Sequence, residues 1–536
     1  MIAQSGRSPH PIRCNYELAN PFFAAAFEVS QTILCDLPSI QSKRLHHSCR
    51  WYARTLLTTA LLTGQVFGLA RALPLEDAAT PVLKASASIE LSSCTLPGVT
   101  QVTRCGVLYL PENPRRPAGR RLPIHIAVIP ATNGPALPDP IVPLMGGPGE
   151  DAIGAAAIYA EQFASLRANR DLLLVDQRGT GRSAALHCDL YSSKQAAASL
   201  RELFPLAAVE RCERRLRAHA DLTQYGYLRF SSDLEQVRRA LGYGSLNLFA
   251  GSYGTRAAVV YLRAYPTSVR TVYLGSVVPI DVAEPLPMAR TEQEALESML
   301  DACAIDSACH GVFPNLRVEF DQVVARLESG VRICIPGSTG TALLQRGRVA
   351  EWFRSKLYRP KSAASLPWLI HQAYLGNWNP IVEGILSDSR DVDSDLSLGL
   401  LFAITCNEDV RFLDEKEILP QTKDTFLGNY RVREQQAACK PWPKSALPGD
   451  YRKPVHSSVP TMFVSGDTDG GTPLWNMQHV APGFTERAEI VARGQGHTEW
   501  SDCIAQLYQR FISTGAVGEL IGASCDRLSR PSFKTQ

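Results

Sequence analysis

The chain lacks an excess of charge of either sign. Its 536 residues carry 55 Lys and Arg against 52 Asp and Glu, a formal net charge of +3. Such a balance gives no electrostatic pull toward a phosphate backbone or an anionic membrane surface, so nucleic acid is not an expected partner. Internal repeats and low-complexity runs are missing too, which excludes solenoids, propellers and fibrous arrays. Long apolar runs are scarce: the stretch from Thr55 to Ala70 is short for a membrane span and is broken by Thr and Gly. Cysteine and histidine never fall at zinc spacing, and Gly179-x-Gly181 fails the spacing of a dinucleotide loop. Neither a metal nor an organic cofactor is expected. With 45% hydrophobic and 20% charged residues, the composition is that of an ordinary globular protein.

What is present starts near the N-terminus. Arg50 and Arg54 precede the Leu-rich stretch, which runs into Ala70-Arg71-Ala72. A basic flank, a short apolar run and an A-x-A site are the parts of a secretory signal peptide, here placed at residues 50–72. The competing reading is a buried helix. Residues 1–49 carry no recognisable pattern and are read as a non-native extension upstream of that signal. The protein is therefore expected to be exported, periplasmic or secreted, with no stable membrane insertion once the signal is removed. Eleven of the fourteen cysteines follow the cleavage site. They fall as neighbours: Cys94/Cys105, Cys188/Cys212, Cys303/Cys309, Cys406/Cys439 and Cys503/Cys525, with Cys334 left over. In an exported chain such neighbours read as disulfides, although spacing does not fix the connectivity and a buried free thiol is the alternative.

Strand and helix signals then alternate, which predicts an α/β fold with a mostly parallel central sheet flanked by helices. Strands are expected at 122–129, 140–145, 171–175, 245–250, 270–274, 461–465 and 488–492. Helices are expected at 253–265 and 504–512, and another opening on the capping box Ser232-x-x-Glu235. The rhythm breaks between 281 and 455. That segment reads as a mainly helical cap inserted between a first core part, 73–280, and a second, 456–536. An independent domain is the alternative reading.

Three loops at strand ends carry chemistry. Ala250-Gly251-Ser252-Tyr253-Gly254 joins a strand to a helix, the setting of a nucleophile elbow, with Ala where Gly is usual. A serine hydroxyl needs a base, and the base an orienting acid. Asp469 follows the strand at 461–465 and His497 the strand at 488–492, so the order Ser, Asp, His is met. Asp467 competes with Asp469 for the acid role. Met145-Gly146-Gly147-Pro148-Gly149 sits where a second oxyanion donor belongs, and the N–H groups of Gly147 and Tyr253 are the expected pair. Asp176 and Arg178 are read as a buried network bracing that loop.

Met145–Gly149, Asp176-Gln-Arg-Gly-Thr-Gly-Arg-Ser183, Gly251–Thr255 and the Asp469 and His497 loops together resemble the prolyl aminopeptidase and tripeptidyl aminopeptidase group of α/β-hydrolases. The resemblance runs from about Cys94 to Cys525, and the closing Cys503 and Cys525 resemble the C-terminal end of the tripeptidyl branch. It departs at Met145, where prolyl aminopeptidases usually carry His, and at Ala250. It implies an α/β-hydrolase fold and a serine exopeptidase that releases N-terminal residues from short peptides with a free amino terminus. It also implies a cap carboxylate for the substrate ammonium, matched here by Glu408 and Asp409. A carboxylesterase using the same triad and a catalytically silent binding protein are the two alternatives.

Overall fold

The computed structural model describes residues 89–192 and 196–536. The extension at 1–49, the signal segment at 50–72 and Cys14, Cys35 and Cys49 lie outside the described residues. The main sheet is built from β1 (Ser92–Cys94), β2 (Thr103–Pro111), β3 (Arg121–Ile129), β4 (Ile141–Leu144), β5 (Leu172–Val175), β6 (Leu246–Gly251) and β7 (Val269–Gly275). After a hairpin of β8 (Val331–Cys334) and β9 (Thr341–Leu344), the sheet is completed by β10 (Thr461–Gly466) and β11 (Arg487–Ala492). The order is β1-β2-β3-β5-β4-β6-β7-β10-β11. From β5 to β11 all pairings are parallel, and β1, β2 and β3 add an antiparallel edge.

The central strands are continuous apolar runs because helices cover both faces. Every residue of Leu172–Val175 and of Ile141–Leu144 is buried. Pro143 in β4 has no N–H to give, and β4 pairs with β5 only at Ile141↔Leu172, before that proline. One face carries an aromatic cluster in which Phe249 of β6 stacks on Tyr273 of β7 at 4.4 Å and meets Trp500 at 5.5 Å. The other face packs the helix Gly254–Ala264, buried from Gly254 through Leu262.

The predicted strands fall at β3 to β7, β10 and β11, each within two residues of its expected ends. Strand β2 escaped prediction because Gly106 interrupts its side-chain alternation, and it is fixed by pairing with β1 on one side and β3 on the other. The capping box at Ser232 is a correction. That helix spans Tyr227–Ala240, so Ser232 lies in its interior. Its first N–H, from Tyr227, donates to Glu408 Oε1 at 3.0 Å, a carboxylate 181 positions away. The bracing network is corrected as well. Asp176 accepts the Ile153 N–H at 2.9 Å, just beyond the glycine loop. Arg178 instead forms a fork with Asp233 at 2.6 and 2.7 Å, pinning the helix Tyr227–Ala240.

Ten α-helices and the β8–β9 hairpin lie between β7 and β10. Helices from Met288 to Asp395 share a hydrophobic core of their own, centred on Trp352, Phe353 and Ile370. Leu398–Glu408 does not join it: this wholly buried helix packs with the main core through Leu400, Phe402 and Ile404. Both core segments and the cap belong to one compact unit, Ala85–Gln536. Five disulfides join the neighbouring cysteines as paired above. Cys334 is disulfide-bonded too, so it is not the leftover thiol that neighbour pairing made it.

Candidate active site

The elbow follows from crowding. Ser252 sits between β6 and the helix Gly254–Ala264 with φ +52°, a left-handed conformation that a non-glycine residue rarely adopts. A side chain at 254 would put its Cβ 2.2 Å from the Leu144 carbonyl oxygen, so only glycine fits there. The strained turn is held by Ser252 N–H donating to Gly275 O at 3.0 Å and by Thr255 Oγ1 donating to Ser252 O at 2.6 Å. Ala250 is fully buried within β6, and the substitution of Ala for Gly is absorbed inside the sheet.

Three distant loops meet at this serine. His497 Nε2 lies 2.8 Å from Ser252 Oγ. On its other side His497 Nδ1 lies 2.9 Å from Asp469 Oδ2 and 3.1 Å from Oδ1. A proton on Nδ1 leaves Nε2 free to accept from the serine. Asp469 is 5% exposed and also accepts from Gly471 N–H and Thr472 N–H, both at 2.9 Å, from Thr472 Oγ1 at 2.7 Å and from Ser276 Oγ at 2.9 Å. Burial pushes its carboxyl up, but His497 and the hydrogen bonds more than offset this and hold it below its ordinary value. Its neighbour Glu292, wholly buried, is driven well above the usual carboxylate range by burial. Asp467, the rival for the acid role, accepts from Gly494 N–H at 2.6 Å and pairs with Arg527 at 2.7 Å, and so braces the histidine loop instead.

Gly147 and Tyr253 line the same cavity as Ser252 and His497. Gly147 has φ +99°. The neighbouring Gly146 N–H is occupied by Glu150 Oε2 at 3.1 Å. Among the described residues, the N–H groups of Gly147 and Tyr253 have no acceptor of their own. Two free donors beside a nucleophile at a helix N-terminus suit a developing oxyanion.

The structure does not bring Glu408 and Asp409 to this cavity. Both are buried, at 2% and 0% exposure, and both are consumed by internal partners. Glu408 caps Tyr227 and accepts from Tyr451 Oη. Asp409 pairs with Arg256 Nη1 at 2.6 Å, accepts the Glu284 N–H at 3.0 Å and takes the hydroxyl of Tyr253. Sequence placed these acids in the cap segment; packing turned them into the core, where Asp409 ties the elbow to the loop carrying Glu284. The cavity carboxylate is Glu284 itself, which sequence reading missed. It is 6% exposed, its Oε2 is buried without a hydrogen-bond partner, and it lines the cavity with Ser252. Burial pushes it up to about 7. Its only sequence signal was an acid in Ala283-Glu284-Pro285, just after a core strand.

The cap reaches the histidine through Tyr358. Its ring stacks on His497 at 4.9 Å, and its carbonyl accepts the His497 N–H at 2.7 Å. Removing the ring in Tyr358→Leu leaves that backbone bond but frees the imidazole face. A stacked pair contributes about 0.5–1.5 kcal/mol, so kcat falls about 2- to 10-fold with KM little changed, as steady-state kinetics on any cleaved substrate will read. A second cavity lies on the far side of the acid loop, lined by Asp467, Thr468, Leu474, Trp475 and Phe533 among others. Ser252 does not line it, so it is not where the reaction takes place.

Comparison with known proteins matches two parts of the chain to family models. Residues 139–302 match one described as alpha/beta hydrolase fold, and residues 424–525 one described as TAP-like protein. The chain is 23% identical over 373 residues to YuaR of Escherichia coli (strain K12), a hydrolase by name, covering 67% of this chain and 73% of that protein. It is 28% identical over 242 residues to the serine protease Hip1 of Mycobacterium tuberculosis (strain H37Rv), covering 40% of this chain but only 44% of Hip1. Among solved structures, a proline iminopeptidase of Mycobacterium smegmatis aligns over 76% of this chain and 98% of that one, at 14% identity and a TM-score of 0.37.

Proposed function

Because the chain belongs to the α/β hydrolases and to their TAP-like branch, we propose that this hydrolase is a serine exopeptidase that takes residues from free amino termini of short peptides. The observation that carries this reading is Glu284, a buried carboxylate oxygen with no partner in the cavity that holds Ser252. A buried carboxylate left unpaired is costly, and a substrate ammonium is the group that satisfies it. In this reading Ser252 Oγ attacks the scissile carbonyl while its proton passes to His497 Nε2. Asp469 stabilises the imidazolium, and the N–H groups of Gly147 and Tyr253 receive the oxyanion. The C–N bond breaks as Nε2 returns the proton to the leaving amine. Water, activated by the same nitrogen, then releases the acyl group. The disulfides of the described residues support export to an oxidising compartment. Among the described residues no helix is long and apolar enough to cross a membrane.

The test is release of a fluorophore from a free-amine Pro amide, a free-amine Ala-Ala-Pro amide and the same tripeptide acetylated. Cleavage confined to free-amine substrates supports the exopeptidase. Cleavage of simple acyl esters alone makes the protein an esterase.

A pH dependence follows. The Glu284 carboxyl is neutral below about 7 and charged above it, whereas a peptide α-amine is charged below about 8. Both partners are ionised only between these limits. The ratio of kcat/KM for a free-amine amide to that for an acyl ester, which cancels whatever pH dependence the two reactions share, is expected to peak between about 7 and 8. A flat ratio counts against Glu284 as the ammonium partner.

A further inference from the structure

Beyond Glu284, the reaction cavity has a second charged wall. Arg431, on the helix Tyr430–Cys439, lines the cavity together with Ser252, Glu284 and Gln435. One arm of its guanidinium is fixed, with Nη1 donating to Glu351 at 2.9 Å. Glu351 is held in turn by Arg354 at 2.7 Å. The Arg431 Nε–H is buried and has no acceptor. The wall is rigid: the Cys406–Cys439 disulfide joins this helix to Leu398–Glu408, which contributes Leu401 and Thr405 to the same cavity.

We propose that Arg431 forms a subsite for a carbonyl-type oxygen on the acyl part of the substrate, beyond the atoms that Ser252 and Glu284 engage. The proposal rests on the exopeptidase reading of the site. A buried donor without an acceptor is a standing penalty that a complementary ligand removes. A substrate whose acyl part is one Ala or Pro brings an ammonium and a scissile carbonyl, but no further acceptor. Two sources supply one. The second or third residue of a longer acyl group brings a peptide carbonyl, and a first residue of Glu or Gln brings a side-chain oxygen. Sites built to hydrogen-bond a substrate oxygen reject analogues lacking it, because the protein donor is then left unpaired. Of the other walls, Val278, Pro285, Met288 and Leu401 are apolar, while Gln435 Nε2 already donates to Thr405 Oγ1 at 2.9 Å and Thr405 Oγ1 to Leu401 O at 2.8 Å.

The experiment compares kcat/KM for fluorogenic amides of Ala, Pro, Glu, Gln, Ala-Ala and Ala-Ala-Ala on the wild type, Arg431→Met and Arg431→Lys. The wild type is expected to prefer acceptor-bearing substrates over Ala amide by about 10- to 100-fold, the range of a charge-assisted hydrogen bond. Arg431→Met is expected to collapse that ratio toward one, and Arg431→Lys to restore part of it. Preference for Glu and Gln assigns a side-chain acceptor; preference for Ala-Ala and Ala-Ala-Ala assigns a main-chain one. The proposal is overturned if the wild type cleaves Ala amide as well as the rest, or if Arg431→Met keeps the preference. Because every readout is a ratio within one variant, a partly folded preparation does not mimic either result. Acetylated copies of the same substrates separate the two readings. If these are cleaved equally well, the ammonium role of Glu284 fails while the Arg431 ratio still decides its own subsite.

Discussion

Ser252→Ala is expected to lower kcat by roughly 10⁶, the scale on which a triad nucleophile acts. The geometry places Ser252 Oγ on His497 Nε2 at 2.8 Å, and the Thr472 hydroxyl, 3.0 Å from the other ring nitrogen, donates to Asp469. Thr255 Oγ1 is turned away onto the Ser252 carbonyl, and Ser276 Oγ onto Asp469. His497→Ala is expected to match that loss, and the double variant to be no worse, because members of a triad act as a unit. Asp469→Asn is expected to lose about 10⁴, since an amide at 469 favours the wrong imidazole tautomer. Asp469 accepts four other hydrogen bonds, two from backbone N–H, so the amide also disturbs the loop that carries it. Single-turnover acylation and labelling by a fluorophosphonate read the effect directly. Ser252→Ala should neither turn over substrate nor take the label; a labelled variant with wild-type turnover would place the nucleophile elsewhere.

The parts of this site that could be read from sequence share one property: each is local. Ser252, Asp469 and His497 all sit in glycine-containing loops directly after strands of the main sheet, and such a loop announces both the strand end and the residue it presents. Short-range cysteines behave the same way, since pairs separated by 6 to 33 residues are brought together by neighbouring elements. What sequence did not yield is set by long-range packing. Glu408 caps a helix that begins at Tyr227, and no local rule connects those positions. The helix Leu398–Glu408 is apolar almost throughout, which does announce that its acids are inside. Whether an inside acid faces a cavity or an arginine is decided by Arg256, which lies in a different core element. Glu284 reads as a turn acid before proline, and only the approach of the cap makes it a buried wall.

Glu284→Gln is the largest effect expected from a residue outside the triad. The glutamine has nearly the same shape but accepts no ion pair, so a free-amine substrate loses its charged partner in a water-poor cavity. Truncating one member of such a pair costs about 2–5 kcal/mol, and kcat/KM for free-amine substrates is expected to fall about 10²- to 10³-fold relative to an acyl ester. The loss should be carried mainly by KM, because the ammonium is bound equally before and during reaction. The same substitution is expected to stabilise the free protein. Glu284 is raised from an ordinary value near 4.5 to about 7 by burial. Between those values the folded state holds a proton that the unfolded chain has released, so stability falls as pH rises through the window, by up to about 3 kcal/mol. Glutamine removes that dependence. Thermal unfolding at pH 5 and pH 8 should show Glu284→Gln gaining on the wild type as pH rises, while its activity on free-amine substrates drops. Both changes have one origin: an unpaired carboxylate buried in the cavity wall destabilises the empty enzyme and is satisfied only when the substrate amine arrives. A variant that gains stability with its amine selectivity intact would leave the carboxylate without a ligand and remove the strongest ground for the exopeptidase reading.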